Sequence, residues 1–334
     1  MKRQKAASIK DIAQKAGVSI STVSYALNGS AKLTDETTNK VLSAARELNY
    51  TPNAAARTLK KQESRILGAF LTAFDGDVFG EMLDGMKDVC YEKGYDLIVC
   101  SGKQSHRLLS ERMIDGAIIL DDSFDSGQLL EYAERAHKLV VLDRELEHPN
   151  IRQVLLDNKA GATLAVEHLV ERGHRKIYIV TGPETSFDAT QRMKGVHRVA
   201  ERNPDVEWIE IPGDFMKSGG VRAAERILDE YNGPAAVFCL NDEMAVGFYN
   251  RMAKTELSIG KDIHLVGFDN IELAGYIQPR LTTIDYSKRK WGELAAEQLI
   301  GLLQGKAVEH ERVYVRLEEA ESVGRAENPR CCTN

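Results

Sequence analysis

The stretch GVSISTVSYALNG, residues 17–29, decides how the first part of the chain folds. Gly17 can adopt the left-handed conformation that ends a helix, and Ser19 is a good N-cap for the helix that follows. In that helix Val23, Ala26 and Leu27 form an apolar face that a core can bury. The opposite face, which such a core does not need, carries Ile20, Ser21, Thr22 and Tyr25.

Helices are predicted on both sides of this stretch. On the N-terminal side, the spacing expected for one buried face of a helix is found at Ile9, Ile12, Ala13 and Ala16. On the C-terminal side, Thr34 caps a third helix, whose apolar residues are Val41, Leu42, Ala45 and Leu48. Two helices joined by a tight turn that contains glycine, with a third helix to complete the core, form a helix-turn-helix. The second helix of this motif enters the major groove of DNA and reads base edges.

The charge of the chain is unevenly distributed. The 334 residues carry a formal net charge of −6, but residues 1–65 contain twelve Lys and Arg against five Asp and Glu. A basic head on an acidic body indicates a polyanionic partner for the head alone. We therefore predict that the outward face of the second helix contacts double-stranded DNA. The alternative is an ordinary solvated surface.

The next stretch, PNAAARTLKKQES at residues 52–64, is rich in alanine and basic residues. It is long enough for only about two or three helical turns, so as an isolated helix it would be marginal. We predict a hinge helix that orders on DNA, with Leu59 wedged between bases in the minor groove and Arg57, Lys60 and Lys61 on phosphates. The alternative is a linker whose Leu59 packs on the body.

From Ile66 onward, short apolar runs alternate with helical patterns. Strands are predicted at 66–71, 96–101, 116–120, 139–143, 176–182, 207–211, 235–240 and 264–268. Helices are predicted at about 79–93, 127–137, 159–172, 189–202, 218–231, 243–254 and 288–304. Runs of Val, Ile and Leu between amphipathic helices indicate parallel sheets covered on both faces. The predicted fold class is α/β, with two doubly wound parallel-sheet lobes preceded by an all-α helix-turn-helix headpiece.

Polar residues follow three of the predicted strands. They are the pairs Asp143-Arg144, Asn241-Asp242 and Asp269-Asn270. Ligands of doubly wound sheets bind at the carboxyl ends of the strands, and these groups suit a neutral polyhydroxy ligand that both donates and accepts hydrogen bonds. Each of them could equally serve as a helix N-cap.

Other classes of protein find little support in the sequence. The motifs of serine hydrolases, P-loop proteins, dinucleotide-binding proteins and zinc proteases are absent, and no histidine has metal-ligand spacing. We therefore predict no enzyme, no catalytic residue, no cofactor and no metal. No signal peptide or membrane-length apolar run is found, and the five cysteines are scattered. We expect a cytoplasmic protein without a membrane partner.

At this point the sequence resembles the LacI/GalR family of bacterial transcription regulators, nearly from end to end. The most specific segments are IKDIAQKAGVSISTVSYALNG and TDETTNKVLSAARELNYTPNAAARTL. The body adds DGAIIL, LDR, GHRKIYIVTGP, CLNDEMAVG, VGFDN and PRLTTI. The resemblance implies a homodimeric repressor of carbohydrate-utilisation genes, bound to a pseudo-palindromic operator and controlled by a sugar between two lobes similar to periplasmic binding proteins. A purine effector or a phosphoprotein coregulator stays open.

The resemblance also implies roles for single residues. Tyr25 stands where many members carry arginine, so an arginine–guanine contact is lost. The implied DNA contacts are Ile20, Ser21, Thr22, Tyr25, Asn53, Ala56, Arg57 and Leu59. The implied effector contacts are Phe79, Arg144, Arg192, Phe215, Asn241 and Asp269.

The predicted domains follow from both arguments. They are a headpiece at 1–53, a hinge helix at 54–64 and an effector-binding and dimerisation core at 65–327. The N-lobe would comprise about 65–160 and 287–315, and the C-lobe about 161–286 and 316–327. Two rivals are a sugar-binding transport protein, which the missing signal peptide and the DNA-binding head disfavour, and a sugar-processing enzyme.

Overall fold

The structure is a computed structural model that describes residues 7–27, 32–50, 63–74, 76–307 and 309–326. The chain divides into two compact units, Met1–Ser64 and Arg65–Asn334. We call them the headpiece and the sensor.

The described part of the headpiece forms the helices α1 (Ile9–Ala16), α2 (Ile20–Leu27) and α3 (Asp35–Glu47). Ser8 caps α1 in a capping box with Asp11, and Gly17 ends α1 at φ 62°. Thr34 caps α3 by accepting a hydrogen bond from the backbone N–H of Thr37. Gly17 and Thr34 therefore serve as the helix end and the helix cap that the sequence predicts.

A small apolar core holds the three helices together. Its buried members are Ile12, Ala13, Ala16, Val23, Ala26, Val41, Ala44 and Ala45. Leu27 and Leu48 pack against its edge. The predicted helix-turn-helix headpiece is confirmed.

Twelve strands are found among the described residues of the sensor. In chain order they are β1 (Ile66–Leu71), β2 (Asp96–Cys100), β3 (Gly116–Leu120), β4 (Lys138–Val141), β5 (Ile151–Leu156), β6 (Lys176–Val180), β7 (Glu207–Ile211), β8 (Ala235–Cys239), β9 (Ile263–Phe268), β10 (Thr282–Asp285), β11 (Glu311–Val313) and β12 (Arg316–Glu318). They form two six-stranded sheets, with the orders β11-β5-β4-β3-β1-β2 and β12-β10-β9-β8-β6-β7. All neighbours run parallel except β12, which is antiparallel to β10.

Helices cover both sheets. They are α4 (Asp77–Lys93), α5 (Arg107–Ser110), α6 (Ser126–Glu134), α7 (Asn158–Glu171), α8 (Phe187–Ala200), α9 (Lys217–Asp229), α10 (Asp242–Met252) and α11 (Lys288–Leu303). Helices α4, α6 and α11 contact the first sheet, which we call the N-lobe; α7, α9 and α10 contact the second, which we call the C-lobe, and α8 packs on α7. Among the described helices, none is both long enough and apolar enough to cross a membrane.

The chain passes between the two sheets three times. The first crossing lies between β5 and α7, the second between β10 and α11, and the third between β11 and β12. Each lobe is therefore assembled from distant parts of the sequence.

The predicted α/β fold with two parallel-sheet lobes is confirmed. All eight predicted strands and seven predicted helices of the sensor are present, with ends that differ by at most three residues. The sequence reading missed β5, β10, β11, β12 and the four-residue α5. Polar Arg152 and Gln153 interrupt the apolar run of β5, and β10, β11 and β12 have only four or three residues each.

Helices α9 and α10 touch backbone to backbone through two glycines. A Cβ atom added at Gly247 would overlap the carbonyl oxygen of Lys217, and one added at Gly220 would overlap the carbonyl oxygen of Met244. A side chain at either position must push the helices apart, because neither backbone oxygen can move alone.

Gly247→Ala is expected to lower the free energy of unfolding by about 1–3 kcal/mol, the usual cost of overpacking. Urea unfolding measures it. Gly80→Ala in α4 is the matched control, since an added Cβ there meets no atom within 4 Å, and it should stabilise by up to about 1 kcal/mol. Equal effects at the two sites would contradict the packing argument.

Two buried histidines hold the segment around Gly324 against the C-lobe. The rings of His174 and His264 lie with centroids 4.2 Å apart. His174 Nε2 lies 3.2 Å from the carbonyl oxygen of Gly324, whose own N–H donates to His264 Nδ1 at 2.9 Å. Burial lowers the pKa of both rings, that of His264 to about 4. The native C-lobe therefore needs a neutral His264.

The sensor is expected to lose stability as the pH falls below about 6.5. His264 of the unfolded state then binds a proton, whereas His264 of the folded state stays neutral. A folded-state pKa of about 4 gives a loss of about 2 kcal/mol between pH 7 and pH 5. Urea unfolding at both pH values measures it. His264→Gln keeps an acceptor for the Gly324 N–H and should show a smaller loss of stability than the parent chain. An unchanged loss would show that His264 is not the group responsible.

Candidate nucleic-acid interface and effector site

The outward face of α2 is open to solvent. Ile20 and Tyr25 are 46% and 44% exposed, and Ser21 is exposed as well. The ammonium of Lys32 lies 5.7 Å from the centre of the Tyr25 ring. The face therefore combines small side chains, an aromatic ring and a nearby cation, which suits contact with bases and phosphates.

The first turn of α2 is fixed by one serine. The side chain of Ser19 accepts a hydrogen bond from the backbone N–H of Thr22 at 3.0 Å, and the two hydroxyl oxygens are 2.8 Å apart. Thr22 is half-buried. Its hydroxyl is oriented by the cap, while Ser21 beside it stays open.

The predicted hinge-helix contacts lie outside the described residues. These are Asn53, Ala56, Arg57 and Leu59. Their roles on DNA stay predictions.

In the sensor, Arg192 of α8 lies at the carboxyl ends of the C-lobe strands and is almost fully buried, with 4% exposure. Its Nη2 donates to Asp269 Oδ1 at 3.3 Å, and its Nη1 donates to the carbonyl oxygen of Leu240. The guanidinium carbon lies 3.6 Å from the centre of the Phe268 ring and 5.7 Å from that of Phe215. The guanidinium is thus fixed by an acid, a backbone oxygen and aromatic faces.

Asp269 follows β9 and has a left-handed backbone at φ 113°. It is 7% exposed, and its Oδ1 also accepts a hydrogen bond from the hydroxyl of Tyr286 at 3.1 Å. Burial raises the pKa of Asp269, against the lowering effect of Arg192 and of Lys288. Arg192 and Asp269, which the resemblance implies as a ligand-contacting pair, lie far apart in the sequence and are brought together by the fold.

Two further groups of this site were missed from the sequence. Asp188, one helical turn before Arg192, accepts a hydrogen bond at 2.7 Å from Nδ2 of buried Asn158, whose Oδ1 accepts from Arg192 Nε at 2.8 Å. Desolvation raises the pKa of Asp188 to about 6. The i, i+4 spacing of Asp188 and Arg192 on α8 is a signal that could have identified the acid; for Asn158 the sequence gives no such signal.

Asn241 and Phe215 are joined by a hydrogen bond between a side chain and the backbone. Asn241 caps α10 by accepting from the backbone N–H of Met244, and its Nδ2 donates to the Phe215 carbonyl oxygen at 2.9 Å. Phe215 itself has a left-handed backbone at φ 63°, and a Cβ atom at Gly182 would strike its ring. The structure therefore gives Asn241 the role of a helix cap that positions Phe215, while direct effector contact stays a prediction.

Arg144 and Phe79 belong to the N-lobe. Nε and Nη2 of Arg144 each donate to Asp143 at 2.7 Å, and other N–H groups reach the carbonyl oxygens of Asp121 and Phe124. This geometry makes Arg144 an anchor for Asp143. Phe79 is half-buried in the first turn of α4. Contact of either residue with an effector stays a prediction.

In the part of the chain that the structure describes, no group of three or more His, Cys, Asp or Glu is arranged to hold a metal ion. The cysteines Cys90, Cys100 and Cys239 are buried free thiols.

Comparison with known proteins finds one match in the headpiece and one in the sensor. Residues 8–53 match the model of bacterial regulatory proteins of the lacI family, and residues 166–323 match the periplasmic binding protein-like domain. The HTH-type transcriptional repressor PurR of Aliivibrio salmonicida (strain LFI1238) is 36% identical over 320 residues, which cover 92% of this chain and 94% of that protein.

Solved structures are similar as well. A sugar-binding transcriptional regulator of the LacI family from Enterococcus faecalis shares 46% identity over 78% of this chain and 97% of its own, with a TM-score of 0.74. The lac repressor dimer bound to operator and the anti-inducer ONPF shares 29% identity over 96% of this chain and 100% of its own, with a TM-score of 0.84.

A helix-turn-helix headpiece on a two-lobed, binding-protein-like sensor defines a class of transcription regulators whose DNA binding and ligand binding lie in separate units. The chain belongs to the LacI family of this class, and it is a DNA-binding transcriptional repressor. The resemblance seen in the sequence is confirmed.

Arg192→Gln is expected to destabilise the sensor by about 2–4 kcal/mol, because it leaves the buried Asp269 carboxylate without its cation. Urea unfolding of the full chain measures the loss. Arg222→Gln is the control, since Arg222 pairs with Asp214 at the surface and such pairs contribute about 0–1 kcal/mol. Equal losses would show that the Arg192 ion pair is no more important than a surface pair.

Proposed function

We propose that this repressor responds to a saccharide bound at the carboxyl ends of the sensor strands. The observation that carries the proposal is the Arg192–Asp269 pair, with Asp188 one turn away on α8 and the Phe215 ring beside the guanidinium. Carboxylates accept hydrogen bonds from hydroxyl groups, and a guanidinium donates to them. An aromatic face packs against the C–H groups of a sugar ring.

The similarity to the sugar-binding regulator from Enterococcus faecalis supports the same effector class. It shares 46% identity over 78% of this chain, more than the 36% shared with the PurR relative. Saccharide binding changes the affinity of a homodimer for a pseudo-palindromic operator, and the protein acts in the cytoplasm without catalysing a reaction.

A purine is the second candidate effector, and the PurR relatives favour it. A purine base presents two flat faces, so it would stack between aromatic rings. In the described part of the site Phe268 is already covered by Arg192 at 3.6 Å and the Tyr286 hydroxyl is bonded to Asp269, so a stacked base would need Phe215 together with an N-lobe ring such as Phe79. This arrangement suits hydroxyl groups better than a stacked base.

The effector class is tested by thermal unfolding of the full chain with D-ribose, D-galactose, sucrose, raffinose, hypoxanthine and guanine. A bound compound raises the melting temperature by mass action. Each positive compound is then added to the repressor on operator DNA. Stabilisation by a sugar with a change in operator affinity supports the proposal; stabilisation by hypoxanthine or guanine alone assigns the purine.

Saccharide affinity is expected to rise between pH 5 and pH 7. The pKa of Asp188 is about 6, and a hydroxyl that donates to its carboxylate favours the ionised form, so binding strengthens as the acid ionises. Calorimetry should show up to about tenfold tighter binding at pH 7, equivalent to one pKa unit. Asp188→Asn cannot ionise and should abolish this dependence; a persisting dependence would assign it to another group.

Tyr25→Arg is expected to change the operator preference towards guanine at one position in each half-site. A bidentate contact of arginine with guanine contributes about 1–3 kcal/mol of discrimination. Selection from a randomised operator library measures the change. Tyr91→Arg adds the same charge at a residue of the sensor that is 85% exposed and should leave the preference unaltered. An unchanged preference in Tyr25→Arg would remove Tyr25 from the reading face.

A further inference from the structure

The Arg192–Asp269 pair is held by side chains that come from two of the crossings between the lobes. Asn158 is the first residue of α7, directly after the first crossing, and Tyr286 lies in the second crossing between β10 and α11. Asn158 is 1% exposed and Tyr286 is 5% exposed. Neither residue was singled out from the sequence.

Both the oxygen and the nitrogen of the Asn158 side-chain amide form hydrogen bonds with residues of α8. Its Oδ1 accepts from Arg192 at 2.8 Å and its Nδ2 donates to Asp188 at 2.7 Å. The amide therefore fixes the spacing of the cation and the acid relative to the first crossing. A rotation of the backbone at that crossing would have to break one of these hydrogen bonds or carry α8 with it.

Tyr286 contacts Asp269 of the C-lobe on one side and Trp291 of the N-lobe on the other. Its hydroxyl donates to Asp269 Oδ1 at 3.1 Å, and its ring meets the Trp291 ring edge-on, with centroids 6.0 Å apart. Trp291 belongs to α11, and its indole N–H donates to the carbonyl oxygen of Val154 in β5 at 2.7 Å. Four buried residues thus form a continuous path from the C-lobe acid to the N-lobe sheet.

The second crossing is also braced by charge. Nζ of Lys288, which is 3% exposed, donates to the carbonyl oxygen of Asn270 at 3.1 Å and lies 4.9 Å from the centre of the Tyr286 ring. Asp285 accepts from Asn270 Nδ2 at 2.9 Å and from Arg316, just after the third crossing. These contacts leave the Tyr286 ring little freedom to move independently of the Asp269 loop.

We infer that Tyr286 and Asn158 are positioning residues that couple occupancy of the effector site to the orientation of the two lobes. An effector that contacts Arg192, Asp188 or Asp269 changes the contacts available to these two side chains, and both are fixed to the crossings about which the lobes turn. The coupling is a difference in free energy between two lobe orientations, carried by contiguous packed groups. The inference rests on the proposed function for the location of the effector site and for the identity of the compound.

A double-mutant cycle tests the path without any effector. Asp269→Asn perturbs the C-lobe end, and hydrogen exchange of peptides that cover β5 and the first turn of α11 reports on the N-lobe end. We expect Asp269→Asn to raise exchange there at least threefold in the parent chain and to add nothing further in Tyr286→Phe, because the path is already broken. Unchanged N-lobe exchange in Asp269→Asn, or additive effects in the double variant, would overturn the inference.

Tyr249→Phe is the matched control for this cycle. Its hydroxyl also makes a hydrogen bond, to the carbonyl oxygen of Pro279 at 2.7 Å in a partly buried position, but Tyr249 lies in α10, away from the crossings. Combined with Asp269→Asn it should give additive effects. Non-additive effects with Tyr249→Phe as well would mean that loss of any hydroxyl in the C-lobe raises hydrogen exchange in the N-lobe. That result would overturn the assignment to Tyr286.

A second readout uses the sugar panel. Operator affinity is measured with and without saturating D-ribose, D-galactose, sucrose or raffinose, for the parent chain, Tyr286→Phe and Tyr249→Phe. We expect Tyr286→Phe to retain sugar affinity within about threefold while the effect of sugar on operator affinity falls about tenfold. A full sugar effect in Tyr286→Phe contradicts the inference. If no sugar acts on the parent chain, the proposed saccharide fails while the exchange cycle still decides the role of Tyr286.

Discussion

The sensor depends on one buried ion pair, between the guanidinium of Arg192 and the carboxylate of Asp269. Two charges taken out of water cost several kcal/mol each unless hydrogen bonds replace their hydration. Here Asn158, the Leu240 carbonyl oxygen and the Tyr286 hydroxyl supply those hydrogen bonds, and aromatic rings surround the guanidinium. Because each partner comes from a different element, the pair constrains the relative positions of the elements around it.

The environment of the pair is consistent with the neutral ligand that we propose. Asp188 and Asp269 both lie near Arg192 there, and desolvation raises the pKa of Asp188 to about 6. Burial raises the pKa of neighbouring Asp242 to about 8, against the lowering effect of the hydrogen bonds that it accepts from the Thr283 hydroxyl and the Ile271 N–H. Carboxylates at this position can accept hydrogen bonds from the hydroxyl groups of the proposed effector.

Rigid and adjustable contacts are separated in the sensor. Within the lobes, glycines bring pairs of helices into backbone contact, as Gly247 does for α9 and α10, and packed interiors of this kind do not deform continuously. Between the lobes the chain passes three times, and two of the passages carry the side chains that hold the ion pair. The coupling that we infer between the lobes and the proposed effector site would act through these two passages.

The sequence by itself determined the helix-turn-helix headpiece and the succession of strands and helices, because caps and apolar periodicity act over a few residues. Tertiary structure alone decided that Asn158 and Tyr286 join Arg192 and Asp269, residues separated by up to about 130 positions along the chain. It also made Asn241 a cap that positions Phe215 and Arg144 an anchor for Asp143. A side chain's partner across a crossing depends on how two sheets assemble, and no local pattern encodes that.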